Sequence, residues 1–256
     1  MDIHILRFES VESTNVTAVQ YALDGADEGT VIVADQQQGG RGRMKRVWSS
    51  PLGGLWFSII LRPKIDPEHI AQVTMVAGIA VAKVLRKLYE NDIISIKWPN
   101  DLLVRNKKVC GILSEMQLNT EGNVDYVVVG IGINVNVDYD DFPTELKGTA
   151  ASLNEIFNKK ITCSEVLHKI LIEFNDVYEK WISTGLNVVL QSWGKMNCTI
   201  GEKVLVKDDD KVIFSGIAKA IDEKGAIIVV NSDGLMRKFD FGEISIRNSE
   251  TVKEVH

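Results

Sequence analysis

The sequence predicts an α+β fold in which a mixed sheet with helices is followed by a small β-barrel. Two observations predict it. Up to about residue 197, apolar runs of strand length alternate with long helical segments. After that residue, four short β-rich runs follow one another, separated only by turn residues. We therefore predict one domain over residues 1–197 and a second over residues 198–256.

The first domain begins with strand and helix signals in alternation. Ser13 is placed to cap a helix that follows the first strand, Pro67 suits a first helical turn, and Thr162 with Glu165 has the spacing of a capping box. The predicted strands are Ile3–Phe8, Thr30–Ala34, Leu55–Leu61, Ile93–Lys97, Val109–Leu118 and Val124–Val135. The predicted longer helices are Asp66–Tyr89, Thr162–Trp181 and Leu186–Met196.

The second domain is predicted from strands alone. Its β-rich runs are Gly201–Val206, Val212–Ile221, Ala226–Val230 and Leu235–Phe241. Turn chemistry separates them at Asp208–Asp210, Glu223–Gly225 and Ser232–Gly234. Regular short strands with such punctuation are typical of a small barrel.

Composition excludes several classes of protein. The chain has 256 residues, of which 45% are hydrophobic and 25% charged, as in ordinary globular proteins. Its net charge of −6 argues against non-specific nucleic-acid binding, which favours basic chains. No stretch approaches the about 20 apolar residues of a membrane helix. The segment Met1–Ser10 lacks the apolar centre of a signal peptide.

The cysteines and histidines indicate the compartment and the kind of chemistry. Three widely spaced cysteines without a CxxC pair favour a reducing compartment, which is the cytoplasm, over a disulfide framework or a zinc site. Four scattered histidines form no HExxH motif. We therefore expect no metal site built from dedicated protein ligands.

The first motif is the segment Gly39–Trp48, in which glycines and arginines alternate before an indole. Glycines allow close approach of a ligand, guanidinium groups suit phosphate or carboxylate, and Trp48 offers a face to a planar ring. By itself the segment is equally typical of a solvated basic loop or an RNA-binding patch. It lacks the glycine and lysine spacing of a P-loop and of a dinucleotide fingerprint.

Two further motifs combine lysines with turn residues. In Lys97–Asp101 the side chains of Asn100 and Asp101 suit hydrogen bonding or a hydrated Mg²⁺, although the segment alone reads as a plain turn. In Lys107–Glu115 two lysines enter an apolar strand that contains a glycine. That pattern fits a charge directed into a pocket and equally fits a hairpin with exposed lysines.

The remaining motifs are Gly130–Asn136 and Glu12–Asn15. Glycines inside a very apolar strand clear space for a ligand or mark a bulge, and Asn134 needs a hydrogen-bond partner there. Ser13 begins a helix whose N-terminal N–H groups are free. Each motif alone has an ordinary structural explanation.

Together and in this order, the five motifs from Phe8 to Asn136 resemble the biotin–protein ligase family. The resemblance implies a catalytic domain like that of class II aminoacyl-tRNA synthetases over residues 1–197 and an SH3-like barrel over residues 198–256. It also implies the monofunctional type without an N-terminal DNA-binding domain. One departure is Met44–Lys45, where bacterial members commonly have Arg-Gly.

The resemblance also implies the site. Arg43 and Lys108 are the expected catalytic residues. Residues expected around biotin are Ser13, Thr14, Asn15, Gln37, Gly40, Arg41, Gly42, Arg43, Lys108 and Gly111. Residues expected on the ATP or adenylate side are Arg43, Arg46, Trp48, Asn100, Asp101, Lys108 and Asn134. Mg²⁺ is expected to enter with ATP near Asp101.

The expected reaction joins biotin to AMP and then passes biotin to a lysine of a biotin carboxyl carrier protein or carboxylase carrier domain. A homodimer in the cytoplasm is expected, with no DNA or membrane partner. The nearest rival is a lipoate–protein ligase, which shares fold and chemistry. A non-catalytic biotin sensor or transcriptional regulator is a rival of another class, which the missing DNA-binding elements and the acidic balance disfavour. An RNA-binding protein is a further rival, and it leaves the remaining motifs unexplained.

Overall fold

The computed structural model describes residues 1–208, 211–241 and 244–248. Its strands are β1 (His4–Val11), β2 (Thr30–Gln37), β3 (Leu55–Leu61), β4 (Ile94–Lys97), β5 (Asp101–Val104), β6 (Lys107–Leu118), β7 (Val124–Ile133), β8 (Lys203–Asp208), β9 (Lys211–Ile221), β10 (Ile227–Val230), β11 (Met236–Phe239) and β12 (Ile244–Asn248). Its α-helices are α1 (Thr14–Leu23), α2 (Val73–Tyr89), α3 (Leu153–Phe157), α4 (Cys163–Thr184) and α5 (Leu186–Gly194). The α+β class and the small C-terminal β-domain are confirmed.

Seven strands form the larger sheet in the order β1-β2-β3-β7-β6-β5-β4. Strand β1 runs parallel to β2 and every other neighbouring pair is antiparallel. The central strands β3 and β7 are almost wholly buried, as their continuous apolar sequences require. The register sets Gly111 of β6 opposite Gly132 of β7. Two strand residues without side chains therefore lie side by side.

The helix predicted over Asp66–Tyr89 consists of two parts. A 3₁₀ segment runs from Pro67 to Gln72, with the Asp66 side chain accepting a hydrogen bond from the Glu68 N–H, and α2 follows. The joint Pro67–Tyr89 segment has the length and apolar composition of a membrane-spanning helix, and 78% of its most apolar window is buried inside the fold. The expectation that no stretch approaches such composition was therefore wrong. All residues of Val73–Ala82 are buried, which accounts for so apolar a segment in this helix.

Strand β5 was not predicted, although a hairpin was one of the two alternatives for Lys107–Glu115. Strand β5 has only four residues, and the turn at Arg105 and Asn106 uses positive φ values of 49° and 64° at two residues other than glycine. Short strands and such turns carry weak local signals. The hairpin brings the Lys108 side chain to Asp101 at the start of β5, which matters for the site.

The C-terminal part forms a five-stranded antiparallel sheet in the order β11-β10-β9-β8-β12. Four of its strands follow the predicted runs, and β12 was not predicted. The predicted turn at Asp208–Asp210 lies partly outside the described residues. This sheet meets the larger domain at Trp98, whose indole Nε1 donates to the Gly225 carbonyl at 3.1 Å and whose ring centroid lies 5.5 Å from that of Phe241.

Candidate active site

The segment Gly39–Trp48 folds back on itself as a loop beside the β6 strand. A backbone bridge joins Arg41 to Val47, and Met44 and Lys45 adopt positive φ values of 54° and 58°. A cavity of about 500 Å³ is lined by residues 39–47 of this loop together with Leu113 and Glu115. The loop predicted from its glycines and arginines thus forms one wall of a cavity large enough for a small organic acid.

The start of α1 faces this loop through Gln37. The Gln37 Oε1 accepts hydrogen bonds from the Thr14 N–H at 2.7 Å and the Thr14 hydroxyl at 3.1 Å. Its Nε2 donates to the Ser50 hydroxyl at 2.7 Å, which in turn donates to the Trp48 carbonyl at 3.1 Å. Ser13 begins the helix as predicted but its side chain makes no capping bond. The glutamine therefore ties the helix start to the base of the loop.

Asn15 is held by groups from two strands. Its Oδ1 accepts from the Ser58 hydroxyl at 2.7 Å, and its Nδ2 donates to Glu115 Oε2 at 2.7 Å. Arg41 approaches the same carboxylate at 3.3 Å. A Cβ on Gly130 would lie 1.9 Å from the Asn15 Oδ1, so this strand glycine is what admits the amide.

The paired glycines of β6 and β7 provide a platform for Trp48. A Cβ on Gly111 would lie 2.8 Å from the indole, and a Cβ on Gly132 would lie 2.5 Å from it. Trp48 packs edge to face on Trp56 with 6.3 Å between ring centroids, and its Nε1 finds no hydrogen-bond partner within the described part of the chain. The indole therefore rests directly on the sheet backbone, as only glycine permits.

Lys108 joins the indole to the first residue of β5. Its Nζ lies 2.6 Å from Asp101 Oδ1 and 4.9 Å from the centroid of the Trp48 ring. The charge is therefore directed inward, as the pocket alternative for this strand required. The adjacent Cys110 is fully buried, and burial raises the pKa of its thiol, so this group is not a nucleophile.

Arg43 connects the loop to both domains. Its guanidinium donates to Asn100 Oδ1 at 3.2 Å and to the backbone carbonyl of Phe241. Burial lowers the pKa of Arg43, the charge of Asp101 raises it and that of Arg46 lowers it. An arginine stays protonated at neutral pH in spite of such a shift. The structure therefore brings two cations to consecutive residues, with Arg43 on Asn100 and Lys108 on Asp101.

The other predicted residues lie around this centre in different ways. Asn134 is buried, and its Nδ2 donates to the Ala151 carbonyl at 3.1 Å and the Lys108 carbonyl at 3.5 Å, which anchors residues 150–153 to β6. Gly40 lies against the Trp48 carbonyl and Ser50, and Gly42 and Arg46 line the cavity. The Arg46 side chain is exposed.

Sequence reasoning missed several groups that hold the site. Ser58 and Ser50 contribute buried hydroxyls. Glu115 was named only as the last residue of the Lys107–Glu115 motif and was given no role. The Phe241 carbonyl comes from the other domain. A serine within the otherwise apolar run Leu55–Leu61 is a signal that sequence reasoning could have used. A backbone carbonyl carries no such signal.

A second cavity, of about 390 Å³, lies between β1 and α4 and contains none of the predicted site residues. Among the described residues, Asp66, Glu68 and His69 lie close enough together to suggest a cation, but Glu68 already pairs with Lys224 at 2.6 Å on the surface. Neither feature includes Arg43 or Lys108, the two residues of the cationic centre.

Comparison with known proteins places the chain in a family. Residues 7–134 match the model of the biotin/lipoate A/B protein ligase family, and residues 199–247 match that of the biotin protein ligase C-terminal domain. The bifunctional ligase/repressor BirA of Bacillus subtilis is 38% identical over 240 residues, covering 93% of this chain and 72% of the relative. The chain belongs to the biotin protein ligase family.

Other biotin protein ligases are similar over nearly the whole chain. The biotin–[acetyl-CoA-carboxylase] ligase of Paracoccus denitrificans is 29% identical over 220 residues, covering 85% of this chain and 90% of the relative. The biotin protein ligase of Aquifex aeolicus, solved in complex with biotin and ATP, superposes with a TM-score of 0.83 at 33% identity. That match covers 96% of this chain and 99% of the other. The fold expected from the resemblance is confirmed.

Proposed function

We propose that this enzyme activates biotin with ATP to biotinyl-5′-AMP, releasing pyrophosphate, and then transfers biotin to a lysine of a biotin carboxyl carrier protein or domain. The observation that carries the proposal is the meeting of Arg43 and Lys108, from separate segments, at Asn100 and Asp101. Family membership and the Aquifex relative solved with biotin and ATP support both substrates.

The first step brings two anions together. A carboxylate oxygen of biotin attacks the α-phosphorus of ATP, a new P–O bond forms, and the bond to pyrophosphate breaks. The positive charges of Arg43 and Lys108 reduce the repulsion between the reactants and stabilise the charge that develops. Removing one donor of this kind typically costs about 3–4 kcal/mol of transition-state stabilisation. The protein otherwise acts by positioning, and needs no covalent intermediate.

We propose that Mg²⁺ enters with ATP and that Asp101 would supply one of its carboxylate ligands. It is a carboxylate beside the cationic centre, partly exposed, with one oxygen on Lys108. Carboxylate and phosphate oxygens are the ligands that Mg²⁺ prefers. When bound, Mg²⁺ would supply further charge neutralisation on the triphosphate.

The second step consumes the mixed anhydride. The unprotonated amine of the carrier lysine attacks the biotinyl carbonyl, an amide bond forms, AMP leaves, and the amine loses a proton to solvent. Until then the loop must retain the intermediate and exclude water. Arg43 suits this task because it fastens the loop to Asn100 and to the Phe241 carbonyl at once.

The test is pyrophosphate release by the purified protein with Mg-ATP and either biotin or lipoate. Release with biotin is the expected result, and release with lipoate alone would refute the proposal. The variant Arg43→Ala should release biotinyl-AMP roughly ten- to a hundredfold faster, the usual effect of losing a charged hydrogen bond. The exposed Lys64 supplies a charge-removal control, Lys64→Ala, which should behave as wild type.

Lipoate is the one rival substrate that a specific observation favours, since the model matching residues 7–134 covers ligases of both kinds. The match of residues 199–247 to a biotin protein ligase domain favours biotin. We propose residues 1–197 as the catalytic domain and residues 198–256 as the SH3-like domain.

The setting of the enzyme is also a proposal. We infer a cytoplasmic homodimer that binds no DNA or membrane. The three cysteines are free, which supports a reducing compartment, and the net charge of −6 disfavours DNA. The dimer rests on the family resemblance. Sedimentation analysis tests the dimer, and a gel-shift assay tests DNA binding.

A further inference from the structure

The carboxylate of Glu115 is shared by two segments that the proposed function places around biotin. Glu115 lies on β6 and lines the cavity. Its Oε2 accepts from Asn15 at the start of α1, and its Oε1 pairs with Arg41 on the loop. One side chain therefore contacts both the start of α1 and the loop that, in the proposed function, must open and close over the pocket.

The chemistry of these groups dictates how the amide of Asn15 is oriented. An ionised carboxylate only accepts hydrogen bonds, so the edge of Asn15 that faces Glu115 must be its NH₂ group. The Asn15 Oδ1 then faces the Ser58 hydroxyl, which is fully buried and donates to it. The Nδ2 has one further acceptor, the Leu113 carbonyl at 3.4 Å. A continuous relay runs from Ser58 through Asn15 and Glu115 to Arg41.

The two contacts of the Glu115 carboxylate, here called its Asn15 arm and its Arg41 arm, differ in strength. The Asn15 arm is short, at 2.7 Å, and Asn15 is buried. The Arg41 arm is longer, at 3.3 Å, and the exposed fractions of the side chains are 52% for Arg41 and 31% for Glu115. A partly exposed ion pair is weak and readily reversed. That weakness suits a loop that admits substrate and later presents the intermediate to a carrier.

We propose that Glu115 is a positioning residue that couples the biotin-side amide of Asn15 to closure of the Arg41 loop. The inference rests on the proposed function and deepens it, since it names the group through which pocket and loop communicate. The alternative is that Glu115 merely stabilises the fold. The variants Glu115→Gln and Glu115→Ala separate these roles. A glutamine still accepts from Asn15 through its Oε1 but cannot pair with Arg41 as an anion, whereas alanine loses both arms.

The experiment measures three quantities on the full chain. They are the escape rate of preformed biotinyl-AMP, the Kd of biotin, and the hydrogen–deuterium exchange of residues 39–48 in the ligand-free protein. Glu115→Gln should speed escape and loop exchange roughly two- to fivefold, in the range of a partly exposed ion pair. Its biotin Kd should stay within about twofold, because the Asn15 arm remains, whereas Glu115→Ala should raise it about tenfold.

A double variant and a control variant complete the experiment. Arg41→Gln combined with Glu115→Gln should be no faster in escape than either single variant, because the two residues act through one contact. Glu173→Gln removes a carboxylate of α4 that pairs with Lys83 of α2 at 2.8 Å, and it should leave all three quantities unchanged.

The outcomes are distinct. Wild-type escape and exchange in Glu115→Gln, or additive effects in the double variant, would overturn the coupling. If the variants lower Tm and change the escape rate, the biotin Kd and the loop exchange in proportion to that fall, Glu115 only stabilises the fold. That result would also overturn the proposed coupling. If the wild type releases no pyrophosphate with biotin, the proposed function fails. Loop exchange in the ligand-free variants still tests whether the Glu115–Arg41 ion pair holds the loop.

Discussion

The platform under Trp48 yields a prediction that separates the two substrates. In Gly132→Ala the new methyl group would lie 2.5 Å from the indole Nε1 and 2.8 Å from its Cε2. Ordinary contact begins at 3.4 Å, so the indole must retreat by about 0.9 Å. Trp48 is a rigid ring backed by Trp56, and overpacking of this kind costs typically about 1–3 kcal/mol. That energy corresponds to a roughly five- to 150-fold loss of affinity for whatever binds against the indole.

The assay is steady-state pyrophosphate release with either substrate varied, together with a separate calorimetric Kd for biotin. We expect the KM of ATP to rise about tenfold or more while the Kd of biotin stays within about threefold, because Gln37 is hydrogen-bonded to Thr14 and Ser50. Gly78→Ala is the matched control. Its methyl group would meet nothing closer than 3.7 Å in helix α2, and its free energy of unfolding should rise by up to about 1 kcal/mol.

Three results would refute the reasoning. An unchanged KM for ATP would mean that Trp48 has no part in nucleotide binding. Equal losses for biotin and ATP would mean that the glycine pair supports the whole pocket. A crystal structure of the variant with the indole unmoved would show that the strands, not the ring, absorb the methyl group.

Three other predictions follow from single groups. Lys108→Ala should slow adenylation roughly 100- to 1,000-fold in a pyrophosphate assay while Lys107→Ala stays near wild type, and unimpaired Lys108→Ala would remove this lysine from the mechanism. Burial raises the pKa of Tyr89 to about 12 from 10.0, so between these pH values the unfolded chain releases a proton that the native protein keeps, and the free energy of unfolding should fall as pH rises. Because the Tyr89 hydroxyl has no hydrogen-bond partner among the described residues, Tyr89→Phe should flatten this decline and add about 1 kcal/mol at pH 7 by denaturant titration, whereas a loss of stability would contradict the assignment. Burial, and to a smaller extent the charge of Asp35, raises the pKa of Cys163 to about 11. Only about one thiol in a thousand is then ionised at pH 8, so alkylation of Cys163 should be far slower in the native protein than in the unfolded chain. Equal alkylation rates, measured by mass spectrometry, would contradict this prediction.

The elements that sequence reasoning predicted well are those with strong local signals. The apolar run Leu55–Leu61 is a strand with the predicted bounds, and Thr162 accepts the predicted capping bond from the Glu165 N–H at 3.1 Å. The break of the long helix before Val73 and the short strand Asp101–Val104 were missed. Packing against other elements decides both, and a short stretch of sequence does not record packing.

The sequence by itself determined the fold class, the order of the motifs and the family, because apolar periodicity, turn chemistry and a conjunction of short motifs are all local properties of the chain. Only the tertiary structure decided that Gly111 lies opposite Gly132 beneath an indole, that Glu115 joins Asn15 to Arg41, and that Arg43 reaches the Phe241 carbonyl. These contacts depend on strand register and on how two domains meet. Both are set by burial summed over the whole molecule, which no single segment encodes.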